Sequence, residues 1–266
     1  MKQVIFLLLL IGCSGMEQSE QKKLRRLNAK GEFIHRNHDE YHYQIDTPKH
    51  RIREPYPWEN GYIGQQTKIT KEYFRCKGSG FNSPRTEENQ TYFDCSGSHT
   101  HSLPIHQGKE FIYPILIDLL NFVQEKTRCK VIITCGHRCP AHNTYADSFN
   151  STSKHMIGAE VDFYVEGMQE HPEKIIAILK QYYQENPPYT HPDYLEFERS
   201  YHHLDVSVPA WYNKEILMQL YQRNEGRDHD NQHEYPYICI QVRYDREAKE
   251  RVIYSWPKAF KGFRRY

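Results

Sequence analysis

The chain lacks an excess of either charge. Its 266 residues carry 35 Lys and Arg against 34 Asp and Glu, a formal charge of +1, so there is no whole-chain field of the kind that gathers nucleic acid, and function must rest on local sites. Long hydrophobic runs are also missing: the stretch from Val4 to Ile11 is too short to span a bilayer as a mature helix. No Cys-x-x-Cys pair occurs, which argues against a structural zinc ribbon. There is no internal repeat. The length suits one catalytic domain of about 150 residues with extensions.

What is present begins with an export signal. Lys2, the apolar run and the small residues Gly12-Cys13-Ser14 read as a secretory segment. Leu10-Ile11-Gly12-Cys13 resembles the bacterial lipobox, which implies cleavage before Cys13, lipid on its sulfur and, with Ser14 following, outer-membrane sorting on the periplasmic side. Six further cysteines, Cys76, Cys95, Cys129, Cys135, Cys139 and Cys239, make an even set. In an exported chain an even set suits disulfides, and Cys76 with Cys95, which bracket a polar loop, is the expected pair.

Residues 14–72 are polar and without apolar period, and read as a tether or partly ordered extension. Loop-forming residues dominate from Tyr73 to His106; His99 and His101 there could in principle hold a metal, but with no carboxylate or third His at matching spacing nearby they read as a solvated loop. Apolar residues at three- and four-residue steps predict a helix through Ile112, Ile115, Leu116, Leu119, Leu120 and Val123, with Pro114 in its first turn. Strands are expected at Val131–Thr134 and Ala159–Val165, and a second helix after Pro172. One or two strands are expected within Tyr194–Val206, and a last helix through Ile216, Leu217, Leu220 and Tyr221. A hairpin over Tyr237–Trp256 completes the chain. The catalytic domain is accordingly drawn at 73–223 with a C-terminal linker and hairpin at 224–266, and the fold class is α+β, a small, mostly antiparallel sheet with flanking helices holding one zinc site.

Zinc peptidases use neutral imidazole and carboxylate ligands and leave one coordination position open. In Ser153-Lys154-His155-Met156-Ile157-Gly158-Ala159-Glu160-Val161-Asp162, His155 falls on a turn and Asp162 in the next strand, with Gly158 permitting the tight backbone between them. A third ligand must come from elsewhere, and Tyr201-His202-His203-Leu204-Asp205 is the dense histidine site. Strand alternation allows only one of His202 and His203 to face a metal.

These segments resemble the D-alanyl-D-alanine metallopeptidases, the superfamily that also holds lysostaphin-type and hedgehog-like domains. Ser153, His155, Gly158 and Asp162 match its Ser-x-His-x-x-Gly-x-x-x-Asp pattern. Gly136-His137-Arg138-Cys139-Pro140 with Asn143 is similar to the Gly-Tyr-Arg-Ser-Pro and Asn segment of the peptidoglycan-peptidase branch. Tyr201 to Asp205 is similar to its aromatic-x-His-x-Asp strand. The resemblance, covering roughly Tyr73 to Tyr221, implies His155, Asp162 and His203 as zinc ligands. It also implies that Arg138 holds a substrate carboxylate or the developing oxyanion.

Departures from the pattern leave the general base open. The carboxypeptidase branch has a Glu where this chain has Ser200, and another branch has a His where it has Tyr201. Glu160, on the Asp162 face where relatives carry a small residue, comes first as base, followed by Glu198 and His202; Asp205 is expected to orient His203. The expectation is a zinc-dependent hydrolase of peptidoglycan stem peptides or cross-bridges, with a non-catalytic, zinc-containing, peptide-binding lipoprotein as the rival.

Overall fold

The computed structural model describes residues 67–186, 189–201 and 206–266. The lipobox with Cys13, nearly all of the tether, and His202, His203 and Asp205 lie outside the described residues.

Six strands form one sheet: β1 (Val131–Cys135), β2 (Glu160–Val165), β3 (Glu198–Ser200), β4 (Ala210–Tyr212), β5 (Ile216–Tyr221) and β6 (Tyr237–Val242). Their spatial order is β1-β2-β6-β5-β4-β3, and every neighbouring pair runs antiparallel. Three main helices accompany them: α1 (Pro114–Thr127), α2 (Pro140–Ala146) and α3 (Pro172–Glu185). The class is α+β, as the sequence predicts. Among the described residues no helix is long and apolar enough to cross a membrane.

Helices α1 and α3 each begin on a proline whose missing N–H costs nothing at that position. Ile115, Leu116, Leu119, Leu120 and Val123 of α1 are buried, as are Ile175, Ile176, Leu179, Tyr182 and Tyr183 of α3. The two helices pack together on one side of the sheet. They meet Val161, Phe163 and Val165 of β2 and Ile238, Ile240 and Val242 of β6 in a common core. Because strand side chains alternate, Glu160 and Asp162 of β2 and Cys239 and Gln241 of β6 point to the other side. Their register sets Cys239 opposite Asp162 and Gln241 opposite Glu160.

Two expectations at the C-terminal end are corrected. Ile216–Tyr221 is a strand, not a helix; it is paired on both edges and has no exposed residue, and a short apolar run of that kind fits either period. The first strand of the expected hairpin, Tyr237–Val242, belongs to the main sheet. It lies inside the sheet between β2 and β5, so a boundary at 223 would cut through the domain, and the two-residue ribbon that follows pairs Tyr244–Asp245 with Glu250–Arg251. Between β1 and β2 the chain forms α2 and then a 3-10 turn at Lys154–Ile157.

The approach of β1 to the cleft depends on a close backbone contact. A Cβ on Gly136 would lie 2.7 Å from both the Cα and the carbonyl oxygen of Phe74, and the His137 N–H donates to that carbonyl at 2.6 Å. Backbone cannot yield as a side-chain tip can. Gly136→Ala should therefore cost roughly 1–3 kcal/mol and lower Tm by several degrees in a thermal melt; an unchanged Tm would show that the two segments separate freely.

Candidate metal centre

His155 is carried on the 3-10 turn Lys154–Ile157, whose N-cap, Ser153, accepts the His155 N–H on its hydroxyl and whose C-cap, Gly158, has φ 69°. That left-handed residue reverses the chain directly into β2, as the glycine predicts. The His155 side chain is buried, with Nδ1 2.7 Å from the Gly136 carbonyl. The carbonyl can only accept, so Nδ1 carries a proton and Nε2 is turned to the carboxylates. Nε2 lies 3.5 Å from Asp162 Oδ2 and 3.8 Å from Glu160 Oε2.

Both carboxylates are held from behind. Asn231, fully buried, donates its amide to Asp162 Oδ2 at 2.9 Å and accepts the Thr134 hydroxyl at 2.6 Å. Asp162 Oδ1 is buried and has no hydrogen-bond partner among the described residues. Glu160 Oε1 accepts the Gln241 amide at 2.7 Å and the Cys239 thiol at 3.1 Å. Burial, reinforced by Glu160 and Asp162, pushes the Cys239 thiol far up, so it remains a proton donor to Glu160.

Strand β1 contributes through a bulge. Its register with β2 shifts between Ile133 and Cys135, which brings Cys135 opposite Asp162. Simple alternation would leave Cys135 on the helix side with Val131 and Ile133; the extra residue re-aims it, and Cys135 Sγ stands 3.5 Å from His155 Nδ1. Arg138 is buried beside it, donating Nε–H to Cys135 Sγ at 3.0 Å and ion-paired through its terminal nitrogen with Asp228. This burial removes a plain surface role for Arg138. Arg138, His155, Glu160 and Asp162 all open onto one cleft of about 510 Å³.

The sequence-predicted residues divide accordingly. His155, Asp162, Glu160 and Arg138 converge. Glu198 does not: it lies on β3, the outer edge four strands from β2, roughly 19 Å away at strand spacing, exposed and bonded to the Tyr212 hydroxyl. His202 and His203 belong to the residues not described. Asn231, Gln241, Asp228 and the sulfur atoms of Cys135 and Cys239 escaped the sequence reading; the alternation of Tyr237, Cys239 and Gln241 was a usable signal only once β6 was known to adjoin β2.

The donor set suits a cation. Two ligands about 2.0–2.2 Å from a common tetrahedral ion lie roughly 3.4 Å apart, close to the 3.5 Å between His155 Nε2 and Asp162 Oδ2. Buried groups of Cys135, His155 and Asp162, and of Glu160, Asp162 and Cys239, have ligand atoms close enough to hold a metal ion. In the metal-free protein a proton takes that place. Burial, the largest effect, lowers the His155 pKa, but Glu160 and Asp162 outweigh it and raise it to about 9; burial likewise raises Asp162, and His155 with Arg138 brings it below the usual carboxylate range.

A cation at Nε2 must displace this proton. Metal binding near neutral pH should therefore release about one proton here, and apparent affinity should rise roughly tenfold per pH unit below about 9 and then level. Competition against a chromophoric chelator, taken as wild type minus His155→Ala, isolates the centre; a flat profile between about pH 6 and 8 would contradict the displacement. Compared with known protein families, curated proteins and solved structures, the chain matches none of them.

Proposed function

We propose that the chain is a zinc-dependent peptidase of peptidoglycan peptides, cutting cross-bridges or trimming stem peptides at the periplasmic face of the outer membrane, where lipid on Cys13 would tether it. The observation that carries this reading is the aim of His155 Nε2 at Asp162 and Glu160 on the floor of an open cleft. His155 and Asp162 would hold the metal, with His203 completing the set by resemblance to the D-alanyl-D-alanine metallopeptidases. A zinc ion there supplies Lewis-acid polarisation of the scissile carbonyl and lets an attacking water ionise near neutral pH.

The chain's own residues do the rest. Gly136 fixes the His155 tautomer and Asn231 fixes Asp162, so neither ligand needs to reorganise. Glu160, steadied at Oε1 by Gln241, takes the water proton at Oε2 and returns it to the leaving amine. Arg138, clamped by Asp228 and Cys135, sets a fixed positive charge at the cleft wall for a substrate carboxylate or the developing oxyanion. A buried carboxylate beside the ligands favours catalysis over the binding-lipoprotein reading.

The test is incubation of the zinc-loaded full chain with purified sacculi and mass analysis of the soluble products. Conversion of cross-linked to uncross-linked peptides, or loss of terminal D-alanine, is expected, and chelation should stop it. Sacculi that bind the protein and remain uncut would return the binding module.

A further inference from the structure

A second cluster of metal-ligating side chains lies outside the cleft, and it overturns the expected disulfide. Cys76, Cys95, Cys139 and His101 are all buried, and their three sulfur atoms and one ring nitrogen lie within 4.8 Å of one another. Cys76 Sγ and Cys95 Sγ are 3.8 Å apart, far beyond the roughly 2.05 Å of a disulfide, and both cysteines are free. Two thiolates sharing one tetrahedral zinc at about 2.3 Å stand roughly 3.8 Å apart. Cys95 Sγ and His101 Nε2 are 3.7 Å apart, again the edge of such a tetrahedron.

The surroundings prepare these four groups as ligands. His101 Nδ1 faces the Ser102 carbonyl at 3.2 Å, which places its proton there and leaves the Nε2 lone pair toward the sulfurs. Cys139 Sγ accepts the His142 N–H at 3.4 Å. Gly78 gives room: a Cβ there would lie 2.2 Å from Cys95 Sγ. His101 is fixed between His137 and Phe263, each ring edge-on to it, and its backbone, which forms an isolated bridge to Arg265, is pinned on either side by the Ser102 N–H to the Arg264 carbonyl and the Tyr266 N–H to the Thr100 carbonyl. Four ligands with no open position and no exposed face describe a closed site.

We infer that Cys76, Cys95, His101 and Cys139 bind a structural zinc ion. Binding discharges the three thiol protons to solvent and leaves a tetrahedral centre of three thiolates and one imidazole. Its place in the chain gives it a purpose. Cys139 follows Arg138, and Gly136 three residues earlier holds His155, so the ion ties the loop-rich segment 76–101 to the wall that positions both cleft residues. This inference stands on its own ligands and does not require the proposed peptidase activity.

The experiment uses the full chain carrying His155→Ala, which removes the cleft site from consideration, purified without reductant and loaded with zinc or cobalt. One zinc per chain is expected, with zinc-edge X-ray absorption showing a first shell dominated by sulfur at about 2.3 Å, and the cobalt form should show strong thiolate-to-metal absorption. His101→Cys, which supplies a fourth thiolate, should keep the ion and change the shell to sulfur alone; Cys95→Ser should lose it. Zinc bound without sulfur would overturn the site. So would a metal-free protein whose thiol count rises by two or more only after reduction, since that shows a disulfide.

Discussion

His155→Ala should lose one metal ion per chain and lower peptide hydrolysis at least roughly 10³-fold, because a catalytic ion supplies several kcal/mol of transition-state stabilisation. Asp162→Ala should do the same. The reasons differ in detail. Without His155 the buried Asp162 loses the imidazole 3.5 Å away, and without Asp162 the His155 proton keeps only Glu160 of the two carboxylates that together outweigh burial. Breaking a buried pair can itself cost about 3–5 kcal/mol, so the variants must be shown to be folded by near-ultraviolet circular dichroism before metal is counted. Metal analysis distinguishes this centre from the sulfur-rich one, which should keep its ion in both variants. Full metal occupancy in a folded His155→Ala or Asp162→Ala protein would remove these residues from the site.

Glu160→Gln should retain both ions and the fold while turnover falls roughly 10²- to 10⁴-fold, the usual cost of removing a general base. The replacement is nearly isosteric. Its amide oxygen can still accept from Gln241 and Cys239, which now donate to Glu160 Oε1 at 2.7 and 3.1 Å, so no buried donor is orphaned. What is lost is the ability of Oε2, 3.8 Å from His155 Nε2, to take a proton. A drop in metal affinity with turnover restored at saturating zinc would make Glu160 a ligand; near-normal turnover would leave neither role and move the search to His202.

The legible parts of the fold were those with one dominant period. Leu116, Leu119, Leu120 and Val123 repeat at helical steps and lie on the buried face of α1, and Pro114 and Pro172 mark the starts of α1 and α3. Ile216–Tyr221 was not legible, since a strand with no exposed residue on either face has no polar side to show its period of two. His155 and Asp162 could be placed together because only a turn and part of one strand separate them. The cluster of Cys76, Cys95, His101 and Cys139 could not, because its ligands come from three separated segments and no Cys-x-x-Cys pair marks them in the sequence. Cys135 needed the bulge in β1, which no side-chain pattern announces.

Strand β6 is the last of the six in the chain, yet it joins β2 on one edge and β5 on the other. Until it arrives, the sheet consists of two unjoined pieces, β1 with β2 and β3 with β4 and β5, each with an open edge that can capture the wrong partner. Closing them brings together residues as distant as Glu160 and Cys239, 79 positions apart, and pairing over such separations is slow. Cys239 and Gln241 reach Glu160 only in that step. A chain exported unfolded would thus carry no assembled acidic centre during transit, and would acquire one at the end of folding, on the side of the membrane where folding finishes.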